Sequence, residues 1–360
     1  MKNLYVLKTS LFLLLFAVLS SCGSDDPGYE KVSPVEVDLS TVPYVKLSQY
    51  KFFEGEMKNL TPAYKVLPYD LNSSLFTDYA HKKRFVWMPE GSHAAYSADT
   101  EVLDFPTGAV LIKNFYYENV QPGNSTRIIE TRLMIKKADG WIFANYVWND
   151  DQTEATLDMD GSYTEISWME NGVPKSTSYR IPSEVECHTC HKTNGSVPSL
   201  IGPKPQNLFK SYAYDEGTKN QLVKWKEEGY LDDVPNGVVA TVDWTDASKP
   251  LETRVRSYLD INCAHCHREG SHCDYRSMRF AFDETTSPEN LGICVEPAEQ
   301  LSPTLLYIVT KKNSVRSVLS YRINSVSSAE RMPLLGRTIV HEEAVDMIEE
   351  WINTMDAPCP

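Results

Sequence analysis

Hydrophobic positions change their rhythm along this chain. Leu11 to Leu19 is an almost unbroken apolar run, preceded by Lys2 and Lys8. The run is shorter than the ~20 apolar residues that a bilayer-spanning helix needs. A positive start, a short apolar core and small residues after it make a secretion signal over residues 1–21. Residues 22–45 are polar and proline-containing, and read as a tether.

From about residue 46 the texture is that of strands. Val102-Leu103-Asp104-Phe105 leads into the turn residues Pro106-Thr107-Gly108. Ala109 to Tyr117 is rich in β-branched and aromatic residues, as strands are. Pro122-Gly123-Asn124 marks a turn before a partner strand over Ile128–Ile135, and Asp139-Gly140 introduces a third over Trp141–Trp148. Asp160-Gly161 and Asn171-Gly172 are expected hairpin tips. Short strands with glycine and proline punctuation imply an antiparallel sheet.

Helical spacing takes over later. A helix is expected over 216–229, then an interdomain linker over 230–250 with Pro235, Gly237 and Pro250. Val255, Tyr258, Leu259 and Asn262 recur at helical spacing, and Ala344, Met347, Ile348, Trp351 and Met355 form a closing amphipathic stripe. Glu342 and Glu343 complement the dipole of that last helix. The expected fold is therefore α+β: an antiparallel β-rich domain over 46–229, a linker, and a small all-α domain over 251–360.

The formal charge of −14 argues against a nucleic-acid partner and suits an exported protein. The chemistry-bearing signal lies in the cysteines. Cys187-His188-Thr189-Cys190-His191 and Cys263-Ala264-His265-Cys266-His267 both read Cys-x-x-Cys-His. This is the attachment signature of c-type haem. Its two thiols form thioethers to the porphyrin, and the adjacent histidine ligates the iron. Two covalently attached haems are thus expected, held by Cys187, Cys190, Cys263 and Cys266, with His191 and His267 as iron ligands. A structural zinc site usually brings its cysteine pairs closer in sequence and gives no reason for a histidine after both pairs. A thioredoxin-like site would want a βαβ context, which is missing.

The second motif has a ready partner. Met332-Pro333 precedes the final helix, and a thioether is a soft, neutral sixth ligand. Met278 is the main rival to Met332, with His272 and His341 behind it. The first motif has no methionine in the segment that follows it. Met134, Met159 and Met169 from the β region are candidates there, and a five-coordinate iron open to a small molecule is the other outcome. Of the eight cysteines, Cys273, Cys294 and Cys359 remain besides Cys22. An oxidising compartment permits a disulfide, and Cys273 with Cys294 is the expected pair.

Several runs together carry a resemblance. They are Tyr69-Asp70-Leu71-Asn72-Ser73, Lys83-Arg84-Phe85-Val86-Trp87, Ile112-Lys113-Asn114-Phe115-Tyr116, Tyr146-Val147-Trp148-Asn149, Ile201-Gly202-Pro203-Lys204, the second haem motif with Asn262, and Met332-Pro333 with Gly336-Arg337-Thr338. The chain resembles a family of exported dihaem c-type cytochromes. Its N-terminal half is distantly similar to cytochrome c′-beta and to mono-haem cytochromes that oxidise hydroxylamine. Those bind haem on an antiparallel sheet with one axial position open, and members of the second group crosslink a lysine to the porphyrin; Lys113 is the corresponding candidate. The C-terminal part is similar to class I cytochrome c, whose terminal helices cross over the haem. The sequence before Gly23 resembles a bacterial lipobox, which implies a lipidated Cys22 and a membrane anchor. The absence of aspartate at residue 23 favours the outer membrane, and Ser24-Asp25-Asp26 is similar to a surface-export tag. The resemblance implies electron transfer with a redox partner outside the cytoplasm. Its alternative is a haem enzyme or gas-binding protein, with peroxidase, hydroxylamine or nitric oxide chemistry at the first haem and the second as relay.

Overall fold

The computed structural model describes residues 31–193 and 197–360. The signal and Cys22 lie outside the described residues. Among the described residues no helix is long and apolar enough to cross a membrane. Residues Pro34–Pro360 form one unit, of α+β class.

Its framework is a sheet of eight antiparallel strands. A small ribbon comes first, β1 (Phe53–Glu54) with β2 (Thr61–Pro62). The large sheet contains β3 (Leu67–Tyr69), β4 (His81–Trp87), β5 (Val110–Val120), β6 (Ser125–Lys137), β7 (Gly140–Trp148), β8 (Ala155–Leu157), β9 (Ser162–Glu170) and β10 (Val173–Ile181). Its main path runs β10-β9-β5-β6-β7-β8, and β4 and then β3 add to the side of β5. The β-branched and aromatic run of β5 makes it the centre, paired along its length with β6. A register shift between Phe115 and Tyr116 bends that pair.

Asn171 and Gly172 turn the β9–β10 hairpin with φ of 49° and 81°, the left-handed pair that a two-residue hairpin turn wants. Asp160-Gly161 is not a hairpin tip. It joins β8 to β9, and these strands pair elsewhere. A Cβ on Gly161 would stand 2.6 Å from the Ser183 backbone nitrogen, so glycine is required there by close approach. The expected strand at Val102–Phe105 reduces to a single bridge, Ala95 to Asp104.

Alternation divides the sheet into two faces. Phe85, Trp87, Ile112, Leu133, Ala144 and Tyr146 face a core closed by Val42, Leu47, Tyr50 and Phe52. Within the stretch read as a tether, Val42 is buried and Val35, Val37, Leu39 and Tyr44 pack on that core. The opposite face carries two apolar clusters, one around Val86, Leu111 and Phe143, the other around Phe115, Tyr117, Trp168 and Tyr179.

The second half wraps this face. It contains the helices α1 (Glu184–Cys190), α2 (Pro205–Leu208) and α3 (Gln221–Glu227), and the ribbons β11 (Lys192–Thr193) with β12 (Val197–Pro198) and β13 (Ser211–Tyr214) with β14 (Gly217–Asn220). The helix expected over 216–229 therefore begins only at Gln221. Asn220 caps it by accepting from the Leu222 amide, and the preceding residues pair as a strand instead. Then come α4 (Leu251–Leu259), α5 (Val318–Asn324) and α6 (Glu342–Thr354). Val255, Tyr258 and Leu259 of α4 share a core with Ala344, Met347, Ile348 and Trp351 of α6. The disulfide joins Cys294 to Cys359, not to Cys273, which is a buried free thiol. Beside this pairing the Tyr307 hydroxyl donates to the Pro360 carbonyl oxygen, so the segment around Cys359 packs back near Cys294.

Candidate functional site

The first motif is set on α1. Ser183 accepts from the Glu186 amide while the Glu186 carboxylate accepts from the Ser183 amide, a capping box that starts this short helix. Cys187 and Cys190 lie on α1, and His191 follows as its C-cap. The His191 Nδ1 lies 2.9 Å from the Ser199 carbonyl oxygen. A carbonyl can only accept, so Nδ1 carries the proton and Nε2 is left to bind a metal. Burial first, and nearby cations after it, push this imidazole down to about 3, so it is neutral at physiological pH.

The second motif leaves α4 through a π-helical turn, Asp260–Ala264. Asp260 holds this turn. Its buried carboxylate accepts from the Phe282 amide at 3.1 Å, Lys204 at 3.2 Å and the side-chain amides of Gln206 and Asn207 at 3.3 Å. The His267 and Cys266 amides both donate to the Cys263 carbonyl. The His267 ring meets Phe280 edge-on, and its Nδ1 is buried without a partner among the described residues. Burial pushes the Cys263 thiol up to about 12 and the His267 imidazole down to about 4.

Each motif opens on its own cavity. The larger, about 300 Å³, is lined by Cys263, Cys266 and His267 and also by Met278 and Met332. The smaller, about 110 Å³, is lined by Cys187, Cys190 and His191, with Met134 and Lys113. Among the other sequence candidates, His272 also lines the larger cavity. His341 lines neither; it stacks on Phe76 at 4.0 Å and meets the Tyr258 hydroxyl at 3.0 Å. Met159 packs against the core on the other sheet face, and Met169 sits in the β9–β10 hairpin. Of the methionines proposed for the first motif, Met134 alone reaches its cavity.

Two features were not foreseen. Cys190, Asn262, His265, Pro333 and Leu335 line both cavities, so the motifs share a wall. At that wall the Cys190 and Cys266 sulfurs and a His265 ring nitrogen all lie within 4.8 Å of one another. The second feature is a row of cations, Arg84, Lys113 and Arg132, along the smaller cavity. Alternation within His81-Lys82-Lys83-Arg84 hints at one face, but strand register is not written locally.

The donor sets fit covalent porphyrins. Each cavity is lined by both thiols and the following imidazole of its own motif, and His191 already has the tautomer that an iron ligand needs. The larger volume reaches the lower end of ordinary small-molecule sites, about 300–1,000 Å³, while the smaller requires its wall to open around a guest. Comparison with known proteins yields no match: no family profile, no curated protein and no solved structure is similar to this chain.

Proposed function

We propose that this chain is an exported dihaem c-type cytochrome that transfers electrons between partners outside the cytoplasm. The observation that carries the reading is the shared wall, where the second cysteine of one motif meets the second cysteine of the other within 4.8 Å. Electron exchange falls steeply with distance, so two redox groups fixed at that wall would act as one relay. Bound iron porphyrin supplies reversible one-electron chemistry, tuned by axial ligand, burial and hydrogen bonding.

The chain's own residues supply the rest. Cys187, Cys190, Cys263 and Cys266 would tether the porphyrins, and His191 and His267 would ligate the irons. His191 keeps its Nδ1 proton on the Ser199 carbonyl. Met332 is the sixth ligand proposed at the larger cavity, with Met278 on the same lining as its rival. Apolar side chains such as Phe143, Leu111 and Ile261 exclude water from the smaller one. In this reading residues 46–229 are the β haem domain and 251–360 the class I cytochrome c-like domain. A lipidated Cys22 anchors the protein to the bacterial cell envelope, at the outer membrane.

Two other readings each have an observation behind them. The cationic lining of the smaller cavity favours a haem enzyme or gas-binding protein with a ligand at the first haem. The Cys190, His265 and Cys266 cluster is also a set for a soft divalent ion such as zinc. A four-thiolate zinc site is disfavoured, because Cys187 and Cys263 lie outside that cluster.

The test is a pyridine haemochrome assay with metal analysis on protein matured in a periplasm. Two covalent haems and two irons per chain are expected. A denatured protein that keeps no peroxidase-staining pigment but holds zinc would overturn the reading. Two low-spin spectra would favour pure electron transfer, and one high-spin haem that binds carbon monoxide would favour the enzyme or gas-binding reading.

A further inference from the structure

The face of the sheet that looks at the first motif carries an excess of positive charge. Register sets Arg84 of β4 opposite Lys113 of β5, Lys113 opposite Arg132 of β6, and Arg132 opposite Asn145 of β7. All of these line the smaller cavity. Lys82, two residues before Arg84, lies on the same face by alternation. Like charges directly opposite on neighbouring strands are destabilising. The chain as a whole is acidic, so the cluster does not reflect composition.

Two of the cations are compensated. Arg84 pairs with Asp70 at 2.6 Å, and Arg132 with the fully buried Glu130 at 2.6 Å. Lys113 is different. Among the described residues its ammonium has no carboxylate partner and stands 4.9 Å from the centre of the Phe115 ring, which Arg132 also covers at 4.3 Å. The nearby carboxylates are engaged: Asp70 also holds Lys210, Glu130 accepts from Tyr179, and Glu186 pairs with Arg180. A lysine amine set between two arginines on a cavity, with the neighbouring anions among the described residues taken, is an arrangement that folding alone does not explain.

We propose that Lys113, flanked by Arg84 and Arg132, forms an anion-binding site in the smaller cavity that takes a carboxylate or a small inorganic oxyanion. Arginine and lysine make charge-assisted hydrogen bonds to such oxygens, and these are strongest where water is excluded. Burial and the neighbouring cations hold the Lys113 amine well below its ordinary value when the site is bare, and an anion would restore its charge. The anion has two sources. One is the carboxylate arm of a porphyrin tethered at Cys187 and Cys190, and this arm rests on the function proposed above. The other is a free oxyanion entering the cavity, which does not.

The test uses the matured full chain and its Lys113→Gln and Lys113→Arg variants, after a pyridine haemochrome count on each. Sodium nitrite is titrated in, followed by the thermal midpoint and the Soret band. For a free oxyanion, nitrite raises the midpoint of the wild type, binding weakens at least about tenfold in Lys113→Gln, and Lys113→Arg recovers it. For a porphyrin carboxylate, nitrite is inert, Lys113→Gln shifts the reduction potential of one haem, and Lys113→Arg restores it. If Lys113→Gln does not mature, resonance Raman of the wild type reads the carboxylate bending modes directly; modes typical of solvated carboxylates together with inert nitrite overturn the proposal. A folded Lys113→Gln protein with unchanged nitrite response and unchanged potentials also overturns it. A haemochrome count of zero sinks the function proposed above, and nitrite alone then decides the site.

Discussion

The same pentapeptide occurs in two unlike surroundings. The first motif rides a capped helix against a polar row of the sheet, and its imidazole proton is satisfied by Ser199. The second grows out of a π-helical turn pinned by a buried aspartate, and its cavity offers two thioethers. The pentapeptide is therefore duplicated while its surroundings are not. Two thioethers, Met278 and Met332, line the larger cavity, while Met134 and the strand-borne cations Arg84, Lys113 and Arg132 line the smaller, so the two motifs meet different side chains.

Cutting the tethers breaks the comparison most severely. Changing Cys187 and Cys190 together to Ala should lower the haemochrome count from two haems to one and leave the Met332-dependent spectrum in place. The matching change at Cys263 and Cys266 should remove that spectrum and keep the other haem. Loss of both haems in either variant would show that the cavities are not independent.

The anchors of the two motifs come next. Asp260→Ala strips four donors of a buried acceptor and should cost about 3–5 kcal/mol in denaturant unfolding. Ser183→Ala removes only a helix cap and should cost about 1 kcal/mol. Equal losses would mean that the second motif is not the more deeply anchored one.

Ligand identity is a spectral rather than an energetic contrast. Met332→Ala should turn one haem high-spin and abolish the methionine–iron charge-transfer band, while Met134→Ala leaves that band unchanged. A band that survives Met332→Ala and disappears in Met278→Ala would reassign the ligand.

A further contrast concerns pH. Burial, with Arg84 and Arg132 nearby, lowers Lys82 to about 7 in the folded chain. Below that pH the folded and unfolded states both hold the proton, and the penalty of burying the charge is fully present. As pH rises above it, the folded lysine sheds its proton while the unfolded one keeps it until about pH 10.4. Stability from this group therefore climbs across that window. Urea midpoints of the wild type should rise there relative to Lys82→Met; parallel curves would refute the burial of this charge.

Much of this was legible from local pattern. Alternation located β5, β6 and β7, the Asn171-Gly172 turn was readable as a hairpin, and the stripe from Ala344 to Met355 announced the last helix. These rest on short-range physics, because turn conformation and amphipathic spacing are decided within a few residues. The failures share one cause. Residues 217–220 pair as a strand because a partner at 211–214 reaches them, and Val102–Phe105 lacks such a partner beyond one bridge.

The sequence by itself determined the chemistry that this chain can carry: two paired thiols with a following imidazole, and an acidic body to hold them. Only the tertiary structure decided which groups meet. The Cys190 and Cys266 sulfurs lie within 4.8 Å, Lys113 stands between two arginines, and Cys359 rather than Cys273 takes Cys294. Each of these meetings joins residues apart in the chain, through strand register, through the packing of one motif against the other, or through the segment that brings Cys359 back. Such contacts arise from the packing of whole faces against one another, and no local run of residues encodes them.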